Sequence, residues 1–186
     1  MPWPDSVTEQ FNLVNLFTTE ESDFYGPYNT LLFELFPDNE HYQVSPQFKH
    51  ITGSMDFTIL YIISKRKVPV FFIEIKTFIA LDKISSRTEA DDQMRKMFIE
   101  FASGNIPIPK LVGLSAMGTH LSIYILTTEN KQLLPARIVP DARFLIDMAP
   151  KVWWNYDILD PTGEAKLREV VEEVKAMCDE SDFGDQ

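Results

Sequence analysis

The stretch from Val70 to Phe78 reads VFFIEIKTF and decides the fold. Its Val, Phe and Ile residues favour a strand, and the run is apolar on both faces, as in a central strand with helices on both sides of the sheet. Side chains alternate along a strand, so Glu74 and Lys76 share a face. A buried charge needs a compensating partner. The pair therefore indicates either a structural ion pair or a functional site.

The residues before this stretch predict its partner strand. Met55 to Ile63 is rich in β-branched and aromatic residues, and Ser64 to Lys67 is a short polar turn. A hairpin folded about Arg66 places Asp56 opposite Lys76 and diagonal to Glu74. Cross-strand partners share a face, so we expect three ionisable groups to converge there.

The remaining pattern predicts a single α/β domain with a central mixed β-sheet flanked by helices. The domain occupies residues 20–178, between an N-terminal arm at 1–19 and an acidic disordered tail at 179–186. Three helices are predicted: one begins at Gly26-Pro27, one spans 87–103 behind a Ser86–Glu89 capping box, and one follows Asp160-Pro161. The other predicted strands run from His41 to Lys49, with Pro46 at an edge or bulge, and over 111–116 and 121–128.

Charge and cysteine content limit the function classes. The chain has 17 basic and 28 acidic residues and a net charge of −11, which is poor for a nucleic-acid binder because phosphate contacts supply most of the non-specific affinity. The single cysteine, Cys178, excludes an intrachain disulfide and a cysteine zinc cluster. The best local candidates for a phosphate-binding patch are Lys83, Arg87, Arg95 and Lys96.

The sequence has neither a secretory leader nor an apolar run long enough for a membrane span. We therefore expect an intracellular protein, in the cytoplasm or nucleus, with no membrane partner.

Two interpretations of the charged group stay open from the residues alone. In one, Lys76 pairs with Glu74 or Asp56 as a structural ion pair. In the other, Asp56 and Glu74 hold a hard divalent cation through oxygen ligands, with the backbone carbonyl of Ile75 beside them. Lys76 would then orient a water or stabilise developing negative charge.

Asp56 followed by the string Ile73-Glu74-Ile75-Lys76 resembles the motif of the PD-(D/E)XK nuclease superfamily, whose fold is called restriction-endonuclease-like. Gln93 stands on the following helix, as in branches of the superfamily with a glutamine motif. Stretches such as DFYGPYNTLLFELFP and ISSRTEADDQMRKMF are similar to small fungal proteins of that superfamily, and the similarity covers most of residues 20–178. Met55 stands where the family has a proline before the first acid.

The resemblance implies a restriction-endonuclease-like fold and a metal-dependent endonuclease that hydrolyses phosphodiester bonds. Mg²⁺ or Mn²⁺ would be bound by Asp56, Glu74 and the Ile75 carbonyl. Lys76 would activate water or stabilise charge, and Gln93 would face the site.

An acid near the first helix would add a metal ligand, and Glu21 fits the family pattern better than Glu34. The implied substrate is nucleic acid, DNA rather than RNA, and a homodimer would supply two sites for two strands. The alternative is a non-catalytic binding domain that retains the fold and a structural ion-pair cluster, which the net charge favours.

Overall fold

The computed structural model describes residues 2–50, 57–144 and 146–183. The helices within these ranges are α1 (Asp5–Asn12), α2 (Tyr25–Leu35), α3 (Ile84–Ala102) and α4 (Pro161–Glu180). The strands are β1 (Tyr42–His50), β2 (Phe57–Lys65), β3 (Val68–Lys76), β4 (Lys110–Met117), β5 (His120–Thr127), β6 (Gln132–Leu134) and β7 (Tyr156–Asp157). No helix in these ranges is long and apolar enough to cross a bilayer.

The strands form one mixed sheet in the order β1-β2-β3-β4-β5-β6, with β7 paired to β5. The β3–β4 pair is parallel and the other neighbours are antiparallel. A parallel pair needs a long crossover, and α3 provides it. The predicted α/β domain with a mixed central sheet flanked by helices is confirmed. Pro46 lies in β1, which is an edge strand of this order.

The two faces of β3 are buried under different helices. Ile73 and Ile75 join the core under α1, α2 and α4. Phe72 points the other way and packs against Phe98 of α3, with ring centroids 4.8 Å apart. Because side chains alternate along a strand, Glu74 and Lys76 share the α3 face with Phe72.

The β2–β3 hairpin has a different register from the one we predicted. Arg66 and Lys67 form the turn, and both have positive φ angles, 50° and 66°, as in a type I′ turn. The register also shifts between Ile63 and Ser64. Leu60 therefore pairs with Glu74, two residues from the predicted partner, and an even shift keeps the same faces together. Asp56 lies outside the described residues.

Two helices also differ from what the sequence pattern predicts. Helix α3 begins at Ile84, so Ser86 is inside it, and no side chain caps its start. The predicted arm contains α1, whose side chains Val7 and Phe11 are buried. The Trp3 Nε1–H group donates a hydrogen bond of 2.7 Å to the Ile158 carbonyl, which ties this segment to the chain just before α4.

We predict that Gly113→Ala destabilises the fold by about 1–3 kcal/mol, because overpacking a full core forces shifts of that size. A methyl group on Gly113 of β4 would overlap the Phe72 ring, which is itself clamped by α3. The matched control is Gly26→Ala on α2, where a methyl group would meet nothing within 4 Å. Urea unfolding should show the control unchanged or more stable; equal effects of the two substitutions would contradict the close packing of β4 on Phe72.

Candidate active site

Lys76 lies between two carboxylates that come from different parts of the chain. Its Nζ atom is 3.6 Å from Glu74 Oε1 and 3.8 Å from Glu21 Oε1. Glu21 begins a 3₁₀ helix, Glu21–Phe24, that runs directly into α2. The side-chain exposure rises along the group, from 0% for Glu74 through 11% for Lys76 to 33% for Glu21. The cluster thus connects the buried centre of the sheet to the surface.

The carboxylates keep the Lys76 ammonium charged despite its burial. Desolvation lowers its pKa, but Glu74, Glu21 and Glu89 raise it, and the net shift is upward from 10.5. A cation held in this way can stabilise negative charge that develops on a neighbouring group.

Tyr25 is a further member of the group that the sequence reasoning missed. Burial and the neighbouring Glu21 raise the Tyr25 pKa to about 12, and the phenol hydrogen-bonds to the Glu21 carboxylate. The Tyr61 hydroxyl donates to the Tyr25 carbonyl oxygen at 3.0 Å, which fixes the start of α2 on β2. The sequence signal for this contact is the four-residue spacing of Glu21 and Tyr25, which makes them neighbours on a helical segment.

Helix α3 contributes Gln93 and Glu89 to the same region. The Gln93 Nε2 group donates to Glu89 Oε1 at 3.1 Å. Gln93 is 5% exposed, and its Oε1 atom is buried with no hydrogen-bond partner among the described residues. A buried carbonyl oxygen without a donor is destabilising by about 1–3 kcal/mol. This oxygen is therefore suited to accept a hydrogen bond from a water or a ligand.

The residues level with Glu74 on the next two strands of the sheet, β4 and β5, are also polar. Ser115 of β4 pairs with Glu74 in the parallel register, and Ser122 of β5 pairs with Ser115. Both serines are buried, and the Trp154 Nε1–H group donates to Ser115 Oγ at 3.3 Å. Small hydroxyl side chains leave room and hydrogen-bonding capacity next to the carboxylate.

The predicted phosphate-binding patch is wrong for its two arginines, because both are buried in internal contacts. Arg87 donates to the Asp147 carboxylate and to the backbone carbonyls of Leu81 and Ala149. Arg95 donates to Asp91 at 2.8 Å and to the Pro135 carbonyl at 3.0 Å. These contacts hold α3 to the chain that follows β6.

The two lysines of the predicted patch, Lys83 and Lys96, are exposed.

The other predicted site residues differ in whether the structure brings them to Lys76. Of the two acids considered near the first helix, Glu21 reaches Lys76, whereas Glu34 is exposed on α2. The Ile75 side chain packs in the opposite core, so its backbone carbonyl alone remains a candidate ligand. The predicted pairing of Asp56 with this group stays a prediction. Within the described part of the chain, no group of three or more His, Cys, Asp or Glu side chains is arranged to hold a metal ion.

Comparison with protein-family models, curated proteins and solved structures finds no match for this chain. A function for the chain must therefore be inferred from the geometry of the site.

We predict that Lys76→Met lowers the free energy of unfolding by about 3 kcal/mol, because removing one partner of a buried ion pair leaves the other charge uncompensated. The control is Lys96→Met on the exposed side of α3, which should change stability by less than about 0.5 kcal/mol. The double variant Glu74→Gln with Lys76→Met should regain most of the loss. Equal stability of the two lysine variants in urea unfolding would contradict the ion pair.

We also predict that stability falls as the pH rises from 10.0 to about 12. The unfolded chain releases the Tyr25 proton first, since its folded pKa is raised to about 12, so unfolding becomes more favourable across this window. Lys76 acts in the same direction, because its raised pKa gives a stabilisation that is lost as the pH rises through the folded value. Tyr25→Phe should decline less steeply than the natural sequence in urea unfolding at successive pH values; parallel curves would contradict the contact with Glu21.

Proposed function

We propose that this protein is a divalent-metal-dependent phosphodiesterase that hydrolyses nucleic acid and has a restriction-endonuclease-like fold. One observation carries the proposal: the Lys76 ammonium is held between the carboxylates of Glu74 and Glu21 at the end of a central strand. Glu74, Lys76 and Glu21 are three members of the group that the resemblance implies, and Asp56 is the fourth.

The element order supports the same proposal. A helix, three antiparallel strands, a crossover helix and a parallel fourth strand follow one another as α2, β1 to β3, α3 and β4. Both Glu74 and Lys76 face α3, the helix that bears Gln93. The arrangement brings the glutamine and the charged pair to one side of the sheet.

The oxygen donors that the resemblance names are of the kinds that bind a hard cation. Carboxylate and carbonyl oxygens are the ligands of Mg²⁺ and Mn²⁺, and the residues that would hold such an ion are Asp56, Glu74 and Glu21, with the Ile75 carbonyl. A divalent ion bound there would polarise the phosphate and lower the pKa of a water.

The chain's own groups have separate roles. The Lys76 ammonium stabilises the negative charge that develops on the phosphate oxygens. The Gln93 Oε1 atom, which has no donor in the described ranges, accepts a hydrogen bond from the attacking water and orients it. Glu74, Glu21 and Glu89 together raise the pKa of Lys76 and keep it protonated. We propose DNA as the substrate, a homodimer for cutting two strands, and an intracellular location in the cytoplasm or nucleus.

The complete burial of Glu74 favours a second function class, a non-catalytic binding domain. In that case the Glu74–Lys76 pair would serve stability alone. The net charge of −11 points the same way, because it repels a polyanion. Catalysis and stability must therefore be measured on the same variants.

We predict cleavage of plasmid and single-stranded DNA that requires Mg²⁺ or Mn²⁺ and is abolished by chelation. Glu74→Gln should lower the rate by about 100-fold or more, because it removes a carboxylate that would hold the metal ion, whose charge stabilisation is worth several kcal/mol. Lys76→Arg keeps the positive charge and the ion pair, so a loss of cleavage without a loss of stability would show chemistry rather than folding. The measurement is the initial rate from gels, paired with urea unfolding of each variant.

The matched control is Glu34→Gln, which neutralises an exposed carboxylate on α2 and should retain full cleavage. Glu21→Gln, on the neighbouring segment, should be impaired. Absence of cleavage by the natural sequence with both metals would contradict the nuclease and favour the binding domain. Cleavage that survives Glu74→Gln and Lys76→Arg unchanged would come from a contaminant and would also contradict it.

A further inference from the structure

A groove of about 460 Å³ lies between the C-terminal half of α3 and the strands β5 and β6. Five of its nine lining residues are apolar: Phe98, Ile99 and Ala102 from the helix and Leu126 and Leu133 from the strands. Ile99 is 73% exposed, so the apolar lining continues to the surface. A volume of this size is within the usual range for small-molecule sites.

Three cations line the same groove: Arg95, Lys131 and Arg137. Arg95 is tied to Asp91, and the exposed Arg137 pairs with Asp92 at 2.6 Å. Lys131 is exposed and makes no ion pair with any residue in the described ranges. Since each arginine already has a carboxylate, the lysine leaves the groove with a net positive charge, on a chain whose net charge is −11.

The backbone holds Lys131 in an unusual conformation. Its φ angle is 56°, in the left-handed region that side-chain-bearing residues rarely adopt. The residue immediately precedes β6, which contributes Leu133 to the wall. Arg66 and Lys67 have the same backbone in the β2–β3 turn, and Lys131 adopts it as the last residue of the turn between β5 and β6. The turn thus presents an uncompensated ammonium beside an apolar wall.

We propose that this groove binds a small amphipathic carboxylate, with the apolar chain between α3 and β6 and the carboxylate at Lys131 and Arg137. The apolar walls match the chain of such a ligand. The planar, forked guanidinium of Arg137 matches its head group, and its exposed pair with Asp92 is readily exchanged.

This site is separate from the proposed active site. Arg95 is the lining residue nearest to Gln93, and the two are two positions apart on α3, so their side chains leave the helix on different sides. No residue that lines the groove belongs to the group around Lys76. Binding here is therefore independent of whether the protein cleaves nucleic acid.

The test is calorimetric titration of the full chain with decanoate and with decyltrimethylammonium. The two probes share a ten-carbon chain and differ in the sign of the head group. The net charge of −11 favours binding of the cationic probe, decyltrimethylammonium. Saturable one-to-one binding of decanoate in preference to that probe would therefore show local recognition by the groove. No saturable decanoate binding, or equal binding of both probes, would overturn the proposal.

Three variants locate the binding. Lys131→Asn removes the charge with a residue that tolerates the left-handed backbone, and it should weaken decanoate binding about fivefold or more. Lys131→Arg keeps the charge and should bind within about twofold of the natural sequence. Ala102→Phe fills the groove and should abolish binding while far-UV circular dichroism stays unchanged. Decanoate affinity unaffected by Ala102→Phe or by Lys131→Asn would place the ligand elsewhere and overturn the proposal.

Discussion

A fully buried carboxylate in the middle of the sheet is the constraint on which the rest of this structure depends. Glu74 is in the central strand β3, with Leu60 of β2 on one side and Ser115 of β4 on the other. Removing such a charge from water is unfavourable unless a cation and hydrogen bonds replace the solvent. Lys76 supplies the cation and also contacts the more exposed carboxylate of Glu21. The position of the 3₁₀ helix before α2 is thus linked to Glu74 through Lys76.

Buried charged side chains on the face covered by α3 also need hydrogen-bond partners. Asp91 accepts hydrogen bonds from Arg95 and from the Tyr124 hydroxyl, which joins the helix to β5. Arg87 ties the helix start to the chain around Asp147. These buried networks fix α3 against the sheet, so the helix can present Gln93 from its middle and line a groove with its C-terminal half. Stability and the two proposed sites therefore depend on the same contacts.

Local patterns in the sequence predicted the central strands, the helices α2, α3 and α4, and the shared face of Glu74 and Lys76, but assigned α1 to an arm. The hairpin register was wrong because it depends on a shift at Ile63–Ser64 and on a tight turn that lacks the usual glycine or asparagine. The Arg87 partners Asp147 and Ala149 are 60 and 62 residues away, so the sequence does not show them. The Asp91–Arg95 pair has the four-residue spacing of neighbours on a helix, which was an available signal that Arg95 is paired internally. The resemblance favoured Glu21 over Glu34, and the contact of Glu21 with Lys76 depends on where the segment before α2 packs, which local patterns do not give.

The most direct test of the central claim is an anomalous diffraction map from crystals grown with Mn²⁺. The account predicts a peak bonded to a Glu74 carboxylate oxygen and to Asp56, with the Lys76 ammonium on the same face of the sheet. A map without such a peak, with Lys76 still paired to Glu74 in the presence of Mn²⁺, would contradict the metal site and leave the pair as a structural ion pair.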